Sequence, residues 1–275
     1  MRAFAGLLCG ALLLASPIAS QEVSVAALID IAGDNDVVIV GEVHGSPKHH
    51  EIQADLARAL KPVALVFEML GPTEAQTANR MRADGASADE MAAALEWEAS
   101  GWPDFALYHK IMVVAPSARI FGADGGRDYV RAAVSSTAAE VFGEGAARFG
   151  LTMPLPTDQQ TAREAGQAEA HCNALPESML SGMVEAQRLR DAWLAEAVLI
   201  AQDTVGPGLV LVITGNGHAR RDWGVPAVLA VAAPDLRVHT HGQFATAPAT
   251  GAPFDSYTLA PVPEQGDPCA AFRAG

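Results

Sequence analysis

Four short runs, residues 37–40 (VVIV), 63–67 (VALVF), 119–121 (RIF) and 209–213 (LVLVI), are apolar nearly from end to end. A strand with one wet face alternates apolar and polar residues. Runs without alternation belong to strands buried on both faces, as in a parallel sheet covered by helices. A weaker run lies at 236–238. The stretches between are helical in pattern. Ser46-Pro47 is an N-cap with Pro at the first helical position, and it opens a helix to about Leu60. Residues 72–114 read as several short helices, broken near Gly85 and at Gly101-Trp102-Pro103. Residues 176–203 read as the longest helix. Strands alternating with helices predict an α/β fold, a mostly parallel central sheet flanked by helices, as a single domain with a helical insertion. No internal repeat and no linker divides it. The domain is expected over 21–243, and the Pro/Ala-rich 244–275 as an extended C-terminal tail packed on its surface.

Residues 1–20, MRAFAGLLCGALLLASPIAS, have a basic start, an apolar run and small residues at the end. This is the pattern of a signal peptide, cleaved near Ser20, which predicts a periplasmic or secreted protein. Leu8 stands where a lipobox needs a small residue before Cys9, so no lipid anchor is expected. No later run is long enough for a transmembrane segment. In an oxidising compartment the two remaining cysteines, Cys172 and Cys269, are expected to form a disulfide that pins the tail beside the long helix. Lys and Arg total 18 against 32 Asp and Glu, a formal net charge of −14, which excludes a broad nucleic-acid surface.

Ligands of open parallel sheets bind beyond the carboxyl ends of the strands. There the first run delivers Gly41-Glu42-Val43-His44-Gly45, the second Glu68, the third Asp124 and Arg127, and the fourth Thr214-Gly215-Asn216-Gly217-His218. Charged residues directly after buried strands are costly unless paired, hydrated or functional. Glu68 could instead cap the helix opening at Gly71-Pro72, and Asp124 with Arg127 could be a loop ion pair. Of His49 and His50, on the first turn of a helix, one is expected to face solvent and the other the rim. His239 and His241 alternate on one strand face and are expected to be exposed.

Three chemistries fit this rim. Glu42, His44 and His218 could hold a divalent metal and activate water. A His–Glu pair could act as general base without metal. A broad cleft with His, Arg and Tyr could hold haem. Spacing alone does not choose among them.

The residues 38–44 (VIVGEVH), followed by His49-His50, resemble the opening motif of the ChaN-like haem-binding family, within the wider Tiki/erythromycin-esterase-like superfamily. Residues 66–70 (VFEML) resemble its second motif. His171-Cys172, Leu175-Pro176, Ala186-Gln187 and Arg190-Asp191-Ala192 are similar to its central helix signature. Residues 213–222 (ITGNGHARRD), with Gly224-Val225-Pro226, are the most specific match. Phe254-Asp255 and Asp267-Pro268-Cys269 look like its tail. The resemblance implies an exported protein of haem or iron uptake, with dimerisation around stacked haems. It also implies a tyrosine ligand to haem. Tyr108 is the preferred candidate, with His109 and Tyr129 as alternatives and His50 nearby. Arg127, Arg188, Arg190, Arg220 and Arg221 are the candidate partners for the haem carboxylates. The superfamily also contains hydrolases built on elements that Glu42, His44, Glu68 and His218 match. The resemblance therefore leaves a hydrolytic alternative, with His44 as base.

Overall fold

The computed structural model describes residues 20–263 and 269–270. The expected signal peptide, with Cys9, lies outside the described residues apart from Ser20, as do Asp267 and Pro268 of the tail. In chain order the elements are β1 (Gln21–Glu22), α1 (Val25–Ala32), β2 (Val37–Glu42), α2 (Pro47–Leu60), β3 (Ala64–Phe67), α3 (Pro72–Ala83), α4 (Ala88–Ala94), α5 (Trp97–Ser100), α6 (Phe105–Val114), β4 (Arg119–Gly122), α7 (Arg127–Ser135), α8 (Ala138–Phe142), α9 (Thr157–Ala170), α10 (Glu177–Val205), β5 (Val210–Gly215), α11 (Asn216–Ala219), α12 (Val225–Ala232), β6 (Val238–Phe244) and β7 (Ser256–Leu259).

The strands form one sheet in the order β1-β7-β6-β2-β5-β3-β4, and every pairing is parallel. This is the α/β architecture expected from the apolar runs. Successive side chains of a strand point to opposite faces, so each run supplies two cores. Val38, Val40, Leu65, Phe67, Leu211 and Ile213 pack with Ile52, Leu56, Ile111 and Met112 of α2 and α6. Val37, Ile39, Val66, Val210 and Val212 pack with Leu189, Ala192, Ala195 and Val198 of α10. Ser46 caps α2, its hydroxyl accepting from the His49 amide, and Pro47 follows at the first position.

The open edge of β4 is closed by one side chain. The Asn79 amide donates to the Ile120 carbonyl at 2.7 Å and accepts from the Ile120 amide at 2.9 Å. It stands in for a further strand and blunts an edge that would otherwise invite pairing. On the other side of the sheet the sequence reading needs correction. The weak run at 236–238 leads into β6, which begins at Val238 and continues through polar residues to Phe244. The 244–275 segment is more than surface chain, because it supplies β7, which lies between β6 and β1. Cys172, in the turn between α9 and α10, is bonded to Cys269 with Cα atoms 5.6 Å apart, as expected from the cysteine count.

Candidate functional site

The carboxyl ends of β2, β3 and β5 bring two buried carboxylates to one rim. Glu42 closes β2 and is almost fully buried. Its Oε1 meets His44 Nδ1 at 2.8 Å and accepts from the Tyr108 hydroxyl at 3.3 Å, while its Oε2 accepts from the Gln53 amide at 2.8 Å. His50 lies 3.6 Å from the same carboxylate and packs edge-on against the Tyr108 ring.

Glu68 follows β3. Its Oε2 accepts from the Thr214 hydroxyl at 2.6 Å and the Gly215 amide at 2.7 Å. Its Oε1 accepts from the Arg190 guanidinium. His218 of α11 stands between Glu68, at 3.4 Å, and Asp191, at 2.7 Å. Gly215 joins the two halves, since a Cβ there would lie 2.8 Å from His44 Nε2 and 3.8 Å from Glu68 Oε2. Only glycine lets the β5 end sit this close to the His44 ring.

The fields follow from these contacts. Burial alone would raise the Glu68 carboxyl, but His218 and Arg190 hold it well below the usual range. Burial would likewise lower His218, yet Glu68 and Asp191 push it up to about 9, so it stands as imidazolium at neutral pH. His44 is raised against the cost of burial by its bond to Glu42. Burial and the neighbouring Glu42 raise the Tyr108 phenol, which therefore keeps its proton. Burial lowers His50, which stays neutral.

Several expectations change here. His49 and His50 are both buried, so neither faces solvent, and the His49 ring accepts from the Val43 amide at 3.0 Å. Glu68 does not cap α3; it belongs to the rim. Asp124 and Arg127 form no ion pair: Asp124 accepts from the Gly126 amide at 2.8 Å, and Arg127 donates to the Ser100 carbonyl. The metal reading of Glu42, His44 and His218 does not fit. Among the described residues no group of three His, Cys, Asp or Glu is arranged to hold an ion.

The haem-contact candidates scatter. Tyr108 is fully buried in the core. His109 packs beside Phe105, with ring centroids 6.0 Å apart. Tyr129 stands 59% exposed on α7. Arg188 is buried, bonded to Glu185 and to the carbonyls of Gly150, Leu151 and Met153, and holds that loop. Arg220 forms two 2.7 Å bonds to Asp222 and stacks on Trp223. Arg127 and Arg190, by contrast, line one open groove of about 430 Å³ with Trp102, Asp124, Val130 and Arg131. Trp102 meets His44 edge-on at 5.0 Å, so the groove adjoins the rim.

Asp191, Gln53 and Trp102 carried no role in the sequence reading. Gln53 is one helical turn from His49 and His50, and Asp191 one turn from Gln187, which also meets His218 at 3.1 Å. Helical spacing could have grouped them, but not shown what they face.

Two solved structures share the fold. ChaN of Campylobacter jejuni, described with cofacial haem binding, is 19% identical, with 80% of this chain and 86% of that one covered at a TM-score of 0.62. The type III effector HopBA1 is 14% identical, with 86% and 92% covered at 0.51. Compared directly by sequence, no curated protein matches. The family model for haem-binding uptake proteins of the ChaN type, in the Tiki superfamily, matches residues 28–229, and the chain belongs to that family.

Proposed function

We propose that this is an exported haem-binding protein of haem or iron uptake or trafficking, and that it works in the periplasm or outside the cell. The observation that carries the site assignment is the groove of about 430 Å³ beside His44, with the Trp102 ring and the guanidinium groups of Arg127, Arg131 and Arg190 on its walls. A flat ligand with an apolar ring and anionic arms suits that lining. Bound haem would supply an iron whose axial positions take protein or small-molecule ligands.

The Tyr108 phenol is sealed in the core and held as a donor to Glu42, so it does not fit the iron. Tyr129, exposed on α7 but outside the groove's lining, is the remaining tyrosine of the sequence reading and is kept as the candidate ligand. The Glu42–His44 pair has the build of a general base, but the family match favours binding over hydrolysis. We also assign to the haem-loaded state a homodimer with haems stacked between the copies.

Titrating the mature protein with hemin should give a saturable, shifted Soret band and a doubled mass by light scattering. Tyr129→Phe should change the spectrum and Tyr108→Phe should not. Absence of a saturable shift would overturn the haem reading. An unchanged spectrum in Tyr129→Phe would overturn the ligand.

A further inference from the structure

Another cavity, of about 330 Å³, lies between α9, α10 and the 217–223 segment, and it shares no lining residue with the groove beside His44. One wall is α9, a helix that carries no buried residue and contributes to neither hydrophobic core. Polar contacts hold it instead. The Gln159 amide reaches the Asp222 carbonyl at 3.5 Å, and the disulfide at Cys172 follows its last turn. Gly166 stands in the middle of this helix, where glycine is unfavourable by about 1 kcal/mol relative to alanine. No neighbour demands it, since a Cβ there would meet nothing within 4 Å. It lines the cavity and keeps the wall free of a side chain.

Arg163 is the charged side chain of that wall. Its Nε is buried without a hydrogen-bond partner. A terminal nitrogen donates at long range, to the Gln159 amide oxygen at 3.3 Å and the Trp223 carbonyl at 3.4 Å. Among the described residues no carboxylate forms an ion pair with it. The two carboxylates whose fields reach it are engaged: Asp191 meets His218 at 2.7 Å, and Asp222 takes two bonds from Arg220. Burial lowers Arg163 to about 10, because the attraction of those carboxylates is opposed by Arg188 and Arg220. A buried guanidinium without a hydrogen-bonded anion is destabilising unless a ligand completes it. Arg220 stands on the Trp223 ring, 3.5 Å from its centre, but Asp222 already meets its charge.

We propose that this cavity is a further ligand site, which takes a small organic oxyanion, its carboxylate or phosphate group on Arg163 and its body against Ala170 and Val184. The unpartnered Nε–H and a terminal N–H form one side of the guanidinium fork, which holds an oxyanion by two parallel bonds. The volume is at the small end of ligand pockets, about 300–1,000 Å³, and leaves no room for a porphyrin. The site therefore stands apart from the haem reading and holds whether or not that reading does.

The test is thermal unfolding of the full mature chain. Succinate and glycerol 3-phosphate serve as the carboxylate and phosphate probes, and chloride at equal ionic strength as the control. At a hundred times its dissociation constant a probe should raise the wild-type Tm by about 5–10 °C, and chloride should not. The probe that acts at the lower concentration identifies the head group. Arg163→Met keeps an apolar stem and removes the charge. Without a probe it should unfold no lower than the wild type, because a buried unpaired cation is gone, and it should lose the probe-dependent shift. Gly166→Leu adds a side chain to the cavity wall, keeps Arg163, and should weaken the probe at least about tenfold. Soret titration with hemin should be unchanged in both variants. No shift with either probe overturns the site, as does a shift that survives in Arg163→Met. An Arg163→Met variant that unfolds several degrees lower without a probe marks a structural cation, bridged to Asp191 by water, and overturns the proposal as well. Loss of hemin binding in either variant would give the cavity to haem and overturn it as a separate site.

Discussion

Lowering the pH from 7 to 5 should cost this protein about 3 kcal/mol of folding stability, through two buried histidines of β6. His239 and His241 share a face of the strand, and their burial makes the expected exposure wrong. They belong to a chain of bonds whose direction is fixed at one end. The Thr258 hydroxyl donates to the Val23 carbonyl at 3.3 Å, so it must accept from His241 Nε2 at 2.9 Å. His241 Nδ1 then carries no proton and accepts from the Ser256 hydroxyl at 2.9 Å, which in turn accepts from His239 Nε2 at 2.9 Å. A proton added to His241 has to displace the Ser256 donor.

The charged groups nearby all oppose such a proton. Burial first, then Arg221, lower His239 to about 4; burial, then His239 and His49, lower His241 to about 3. Both groups titrate near 6.5 in the unfolded chain, so the unfolded state takes up protons first as pH falls below that value. Linkage then removes about 2 kcal/mol per histidine at pH 5. His218 acts with the opposite sign. With its folded value raised to about 9, its contribution grows as pH falls and is complete below 6.5, adding about 1 kcal/mol from pH 7 to 5. The net loss of about 3 kcal/mol is a large share of the roughly 5–15 kcal/mol of a typical domain.

Urea unfolding at the two pH values measures the loss directly. The double variant His239→Gln/His241→Gln should remove the β6 share of the pH dependence, about 4 kcal/mol, whatever it does to stability at pH 7. A wild type equally stable at both values, or a variant that keeps the full pH dependence, would refute the reasoning.

The rim and the termini yield three further outcomes. Glu68→Gln leaves the His218 cation buried with one carboxylate fewer and should cost about 3–5 kcal/mol in urea unfolding; His218 should then titrate lower by NMR. Gly215→Ala should push the His44 ring off its bond to Glu42, at about 1–3 kcal/mol, with a lower His44 titration midpoint as the signature. Cys172→Ser removes a cross-link between residues 97 apart and should cost about 2–5 kcal/mol in thermal unfolding, as should mild reduction of the wild type.

The strand-end residues could be named from the sequence because a buried run and the residue after it are local facts. Glu42 and Glu68 had to emerge at the carboxyl ends of their strands once 37–40 and 63–67 were buried on both faces. The helix at Pro47 was legible for the same reason, its cap and first proline being adjacent. The scattered haem candidates were not. Tyr108 and Arg188 are attractive by type, but one is sealed against Glu42 and the other spends its donors on the carbonyls at 150–153. Burial of a long helix's individual positions depends on what crosses it.

The sequence by itself determined the α/β class, the identity of the strands at the sheet centre and the set of side chains delivered to one rim. All three follow from hydrophobic period and chain order. Tertiary structure alone decided how those side chains pair. Glu68 meets Thr214 across 146 residues because β3 lies beside β5, and strand order leaves no local trace. It also decided that β6, with its histidines, and β7 belong inside the sheet. Hydroxyls from β7 satisfy polar side chains that by composition looked solvent-facing, so a buried strand there needs no apolar run.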